Sequence, residues 1–328
     1  MINKIAIIGL GSIGSRYLRV LNSTFTDIKI IIVRSGKGSR NVDEKLANDV
    51  VYSIEESIKL GVQAAIIASP ASEHLEQAIK LTKAGVHVLI EKPLSVSLNG
   101  TQELIKIVNK NKVIALVGYV LRYDPGAKAF KNYIDSNLIG NILSVKINCS
   151  SFLPDWRPGK DYKKSVSALK DLGGGVLLEL SHELDYMSWF FGEMESAYGL
   201  LYNSKSLDID VEESADLIFK SHLGYPISVH LDFNSRFSSR KCVVNGSKGI
   251  LSWDAIEKTV LCKLMGQEDK IEKFNFERDH LFIKQINHFI NCINKKTLPL
   301  VSIYDAINTL ELIEASRKSN DIKNRVYL

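Results

Sequence analysis

The chain opens on KIAIIGLGSIG (Lys4 to Gly14), a β-branched apolar run that stops at Gly9 and continues into glycines spaced G-x-G-x-x-G. Helical spacing follows from Ser12 to Asn22. A strand, a glycine turn and a helix in this order restrict the fold sharply. The first glycine makes the tight turn, the second lets backbone approach a pyrophosphate, and the third allows the helix to pack closely on the strand. The N-terminus of the helix supplies N–H donors and the positive end of its dipole. The expected dinucleotide-binding residues are therefore Gly9, Gly11, Ser12, Ile13 and Gly14.

The strand and helix rhythm repeats. Ile28 to Val33, Gln63 to Ala68, His87 to Glu91 and Val113 to Gly118 read as strands, with a helix from Ser72 to Ala84. Near-continuous apolar strands separated by helices predict a parallel sheet covered on both faces, with ligands beyond its carboxyl ends. Past Tyr119 the pattern changes. Helices are expected at Gly126 to Ser136, after Gly175, at Asp279 to Asn294 and at Ile303 to Ser319. Strands are expected at Leu143 to Ser150, Ser214 to Lys220, Ile227 to Phe233, Lys241 to Asn245 and Gly249 to Trp253. The fold class is α/β, with a Rossmann domain over 1–119 and an α+β domain with a large, mostly antiparallel open sheet over 120–328.

Composition narrows the function classes. With 45% hydrophobic and 24% charged residues the chain is neither disordered nor fibrous. Its longest apolar run, VIALVGYVL, is half the length a membrane helix needs. The first ten residues read as a strand and not a secretory signal. Cys149, Cys242, Cys262 and Cys292 are scattered without metal-site spacing, which fits buried thiols in a reducing cytoplasm and predicts no metal. Net charge is +5, but Lys and Arg are dispersed, so no nucleic-acid or membrane partner is expected.

Where an NAD-binding unit commonly places an acid after its second strand, this chain has Arg34 and Ser35, with Lys37 and Arg40 nearby. A cation there pairs with a 2′-phosphate, which leans the cofactor from NAD to NADP. The other reading is an ordinary loop.

The stretch IIASPASEHLEQAIKLTKAGVHVLIEKPLS, with GLGSIG before it and GYVLRYDP and LGGGVLLELSHELDYMSWFFG after it, resembles the Gfo/Idh/MocA family of NAD(P)-dependent oxidoreductases. The resemblance implies hydride transfer between nicotinamide and a hydroxyl or carbonyl carbon of a sugar, sugar acid or nucleotide sugar. It also implies a homo-oligomer, dimer or tetramer. Ser69, Pro70, His74, Glu91, Lys92 and Arg122 match cofactor positions, and Lys92 and His182 match the catalytic pair. A lysine at the carboxyl end of a parallel strand faces the ligand crevice, which agrees with that role for Lys92. Pro93 offers a tight turn, since X-Pro bonds tolerate cis.

On the helix after Gly175, Glu179, His182, Glu183 and Tyr186 form a polar stripe opposite Leu177, Leu180, Leu184, Met187 and Phe191. Glu179, His182 and Tyr186 are the expected substrate contacts there, although the Glu179 and His182 spacing departs from the family's pattern. The loop FLPDWRPGKDYKK adds Trp156 and Arg157, which either stack on and grip an anionic substrate or belong to a solvated basic loop. Two other functions remain open: an NAD-assisted glycosidase, and a non-catalytic dinucleotide-sensing regulator.

Overall fold

The structure, a computed structural model, describes residues 2–36 and 41–328. The chain divides into two compact units: residues 1–120 with 277–307, and residues 121–276 with 308–328. The first split lies beside the boundary expected at 119. The return of 277–307 to the first unit corrects the expected single boundary, because a helix packs wherever its apolar face finds a partner.

In the first unit, β1 (Lys4–Ile8), β2 (Lys29–Val33), β3 (Asp49–Val51), β4 (Ala64–Ile67), β5 (His87–Ile90) and β6 (Ala115–Val117) form a parallel sheet ordered β3-β2-β1-β4-β5-β6. Ile7 of β1 pairs with Ile32 on one side and Ile66 on the other. β1, β2, β4 and β5 are buried along nearly their whole length, as strands covered on both faces must be. The helices of this unit are α1 (Ser12–Thr24), α2 (Ile54–Lys59), α3 (Ala71–Lys83) and α4 (Thr101–Asn111). The core joins Ile5, Ile7, Leu18 and Ile66 to Phe282, Ile286 and Phe289, which the chain supplies much later.

The second unit holds α5 (Pro125–Asp135), α6 (Val176–Glu179) and α7 (His182–Phe191). Its strands are β7 (Ile142–Ser150), β8 (Met194–Tyr202), β9 (Ser214–Ser221), β10 (Pro226–Asp232), β11 (Ser239–Gly246), β12 (Gly249–Asp254), β13 (Thr259–Leu264), β14 (Lys270–Lys273) and β15 (Val326–Tyr327). They form a nine-stranded sheet ordered β14-β13-β12-β11-β7-β10-β9-β8-β15, antiparallel except between β7 and β10. Burial alternates along β9 and β10, so one face is core and the other is open. The last two helices are α8 (Arg278–Lys295), which lies in the first unit, and α9 (Ile303–Ile322), whose residues are shared between the units.

All four cysteines are free and buried. Among the described residues there is no cluster of metal-ligating side chains, and no helix long and apolar enough to cross a membrane.

Candidate active site

The glycine turn shows the close packing its spacing predicts at two of its three glycines. Gly9 adopts φ +87°, and a Cβ on it would lie 3.0 Å from the Ala68 carbonyl oxygen and from the Ser69 backbone. A Cβ on Gly14 would lie 2.1 Å from the Gly9 carbonyl oxygen, so α1 packs against the turn at a distance only glycine permits. Gly11 differs. It caps α1 without a side-chain hydrogen bond, and a Cβ on it would meet nothing within 4 Å. Backbone is thus presented to open space at a helix N-terminus, with Ser12 exposed and Ile13 half-buried beside it. This is a surface to which a pyrophosphate fits.

Arg34 follows β2, and its guanidinium is paired with the Glu44 carboxylate. Asn41, which no motif of the sequence singles out, ties this region to the glycine turn: its Nδ2 donates to the Leu10 carbonyl at 3.1 Å and to Ser15 Oγ at 2.8 Å. Asn41 and Glu44 form a capping box, and their N-x-x-E spacing is the signal that could have found it. Lys37 and Arg40 lie outside the described residues.

Because the sheet is parallel, the segments after β1, β4, β5 and β6 all leave the same edge. Those segments begin with Gly9, Ala68, Glu91 and Gly118 respectively. His74 on α3 is buried, with Nδ1 2.8 Å from the Pro93 carbonyl oxygen and Nε2 2.8 Å from the Ser69 carbonyl oxygen. It bridges the turns after β4 and β5. Burial lowers its pKa, the two carbonyls oppose this, and the charge of Lys92 adds to the lowering. The Ser69 hydroxyl donates to Gln77 Oε1 at 2.7 Å, and Pro70 caps α3.

The Lys92-Pro93 peptide is cis. Glu91 is 8% exposed, while Lys92 beside it is half-buried. Tyr17 Oη donates to Glu91 Oε1 at 2.6 Å, and the Lys92 amide donates to Glu91 Oε2 at 3.2 Å. Burial pushes the Glu91 pKa up, and these donors with the charges of Lys92 and Arg16 partly offset it. Gly118 closes the enclosure, since a Cβ there would stand 3.1 Å from Glu91 Cα, Cδ and Oε1.

The second unit corrects the single helix expected after Gly175. α6 stops at Glu179, Leu180 and Ser181 interrupt it, and α7 begins at His182. The interruption shifts the helical phase. Glu179 and His182 remain half-buried, one at the end of α6 and the other at the start of α7. Glu183 and Tyr186, which the spacing places on the polar stripe, are both fully buried. Tyr186 therefore does not stand as a substrate contact: its ring packs against Trp253 at 5.2 Å and Phe190 at 5.3 Å.

Arg122 is buried too, donating through Nε and Nη2 to Asp185 at 3.0 and 2.7 Å. This bidentate pair fastens the segment before α5 to α7. Trp156 donates to Ser151 Oγ at 2.9 Å and packs edge-on to Phe233 at 5.2 Å, with Arg157 half-buried beside it.

Residues 3–119 match the family model described as "Oxidoreductase family, NAD-binding Rossmann fold", and residues 127–252 match the "GFO/IDH/MocA C-terminal domain". A myo-inositol 2-dehydrogenase of Thermotoga maritima is 26% identical, over 99% of this chain and 98% of that one. A scyllo-inositol 2-dehydrogenase (NAD(+)) of Bacillus subtilis is 25% identical, over 96% and 93%. Among solved structures, a levoglucosan dehydrogenase in complex with NADH has the same fold, with TM-score 0.89, 16% identity and coverage of 99% and 98%.

Proposed function

The chain belongs to the Gfo/Idh/MocA family of NAD-binding oxidoreductases, and from that premise we propose that it is a dehydrogenase of a sugar or polyol, with Lys92 and His182 handling the proton. The observation that carries this reading is the pairing of an open backbone cradle at Gly11 with a lysine after β5, both at the carboxyl edge of one parallel sheet. When bound, the nicotinamide supplies the hydride acceptor or donor. Gly9, Gly11, Ser12, Ile13 and Gly14 hold the pyrophosphate, and Ser69, Pro70 and Glu91 line the same edge. Lys92 Nζ hydrogen-bonds the reacting oxygen, and His182 takes or returns the hydroxyl proton. The relatives that act on inositols make a cyclic polyol the first substrate class to try. Trp156 and Arg157 extend it to an anionic sugar, with Glu179 as a further polar contact.

The lean to NADP rests on Arg34 and Ser35. Glu44 works against it, because a 2′-phosphate must displace or share that carboxylate's partner. The open sheet face supports a homo-oligomer: Tyr198, Leu200, Tyr202 and Ile218 stand exposed on β8 and β9.

The test combines NADH and NADPH titrations with NAD+ and NADP+ reduction by myo-inositol, scyllo-inositol and sugar acids. Lys92→Met and His182→Ala are each expected to lower kcat by ~10²–10⁴-fold while dinucleotide affinity stays within a few-fold. An absence of dinucleotide binding, or undiminished turnover in Lys92→Met, overturns the reading. NADPH binding at least as tightly as NADH supports the NADP lean; NADH binding tighter, with the gap narrowed by Glu44→Gln, assigns Glu44 as the group that excludes the phosphate.

A further inference from the structure

Tyr17 Oη lies 2.6 Å from Glu91 Oε1 and 2.8 Å from Gln285 Oε1, while Gln285 Nε2 is buried without a hydrogen bond. One hydroxyl proton cannot serve two acceptors. Two arrangements resolve the conflict. In the first, Glu91 is protonated and donates to Tyr17, which donates to Gln285; this leaves Nε2 buried and unsatisfied, at a cost of about 1–3 kcal/mol. In the second, the Gln285 amide is turned over, so Nε2 donates to Tyr17 Oη and Tyr17 donates to an ionised Glu91. The second gives the Tyr17 oxygen a donor and its proton a single, charged acceptor.

We propose that Tyr17 and Gln285 are positioning residues for Lys92: a buried relay from Gln285 through Tyr17 holds the Glu91 carboxylate, and Glu91 in turn holds the Lys92 backbone. The final link is the Lys92 amide donating to Glu91 Oε2. The relay joins α1, the turn after β5 and α8, all within the first unit. Its members are rigidly set. Tyr17 and Gln285 are fully buried, and the Tyr17 ring meets Phe282 edge-on at 5.3 Å. The charged and titratable groups facing Glu91 are Arg16 and Tyr17 on α1, Lys92 beside it and His74 on α3, with Asp279 of α8 pairing Arg16 at 3.2 Å. Burial raises the Glu91 pKa and the Tyr17 hydroxyl lowers it, so loss of that hydroxyl raises it further. The effect on turnover rests on the assignment of Lys92 under Proposed function; the effect on Glu91 does not.

Tyr17→Phe keeps the packed ring and removes only the donor. In that variant kcat is expected to fall by about 10- to 100-fold with KM and NADH affinity within about threefold, the scale of one hydrogen bond to a charged group. The acidic limb of its pH–rate profile should move to higher pH, as Glu91 takes up a proton where wild type has none. Gln285→Met should change both quantities in the same direction and by less, being one bond further away. A residue that only fills space would move neither.

The activity-independent arm is an infrared pH titration of the Glu91 carboxyl, identified by its absence in Glu91→Gln. A higher midpoint in Tyr17→Phe than in wild type supports the relay even if wild type oxidises no polyol, in which case Proposed function fails alone. An unchanged midpoint overturns the relay. So does unchanged kcat with an unshifted pH profile in Tyr17→Phe when wild type is active.

Discussion

Glu91 and Glu183 are both enclosed carboxylates, each next in sequence to a residue assigned to the proton, and they are held in different ways. Glu91 receives two hydrogen bonds, one from the Tyr17 hydroxyl and one from the Lys92 amide. Glu183 has no aligned hydrogen bond among the described residues, although the Cys149 thiol lies within its reach. It has instead the Arg240 guanidinium, whose Nε stands 2.8 Å from Oε1 without hydrogen-bond alignment. Burial raises the pKa of each. Beside Glu183, burial also pushes the Cys149 thiol up to about 12, with Arg240 opposing and Glu183 reinforcing the rise. The first arrangement fixes direction, because hydrogen bonds are angular. The second mainly neutralises charge, so it tolerates small rotations but depends on one cation.

That difference predicts the largest effect at Arg240. Arg240→Met leaves Glu183 buried without its countercharge, and a loss of about 3–5 kcal/mol in unfolding free energy is expected by urea denaturation. The double variant Glu183→Leu with Arg240→Met should recover most of it, since an apolar pair needs no compensation. If Arg240→Met alone is silent, the charge contact is not what holds Glu183.

At Glu91 the sensitive element is shape. Gly118→Ala places a methyl 3.1 Å from Glu91 Cδ and Oε1, against a side chain fixed by two hydrogen bonds. A cost of about 1–3 kcal/mol is expected, read as a lowered urea midpoint at constant slope. Tyr17→Phe combined with Gly118→Ala should be less than additive, because both loosen the same carboxylate. Full additivity would separate Gly118 from the relay.

The smallest effect concerns pH. Both carboxyls bind protons more tightly folded than unfolded, so between the ordinary Glu value near 4.5 and the raised folded value the folded state holds more protons. Stability therefore falls as pH rises through that window and levels off above it, by about 1.4 kcal/mol for each tenfold difference in proton affinity between the folded and unfolded chain. Unfolding free energy measured against pH should show a shallower fall in Glu91→Gln than in wild type. Equal slopes would mean that Glu91 titrates alike in both states.

The Glu91 side of the comparison is readable in part from sequence. The glycine spacing, the strand before it and Glu91-Lys92-Pro93 after another strand carry local signals, and each sits where the pattern places it. What surrounds Glu91 is not readable, since Tyr17 is 74 residues from Glu91 and 268 from Gln285 along the chain. On the other side, the periodicity alone describes an unbroken helix through Glu179 and Tyr186. The break at Leu180 and Ser181 sends Glu183 and Tyr186 inward, and neither residue type nor spacing marks that break. Arg122 likewise lies in a motif whose wording suggests a ligand, and its guanidinium meets Asp185, 63 residues later.

By itself the sequence determined the parallel sheet, the glycine turn, the mostly antiparallel second sheet and the lysine at a strand's carboxyl end. Period, turn chemistry and glycine conformation act over one turn or one strand, so a short window contains their cause. Tertiary structure alone decided which carboxylate meets a hydroxyl and which a guanidinium, where α8 packs, and which side of α7 is buried. A buried polar group must find a partner inside the fold, and packing can bring that partner from any distance along the chain.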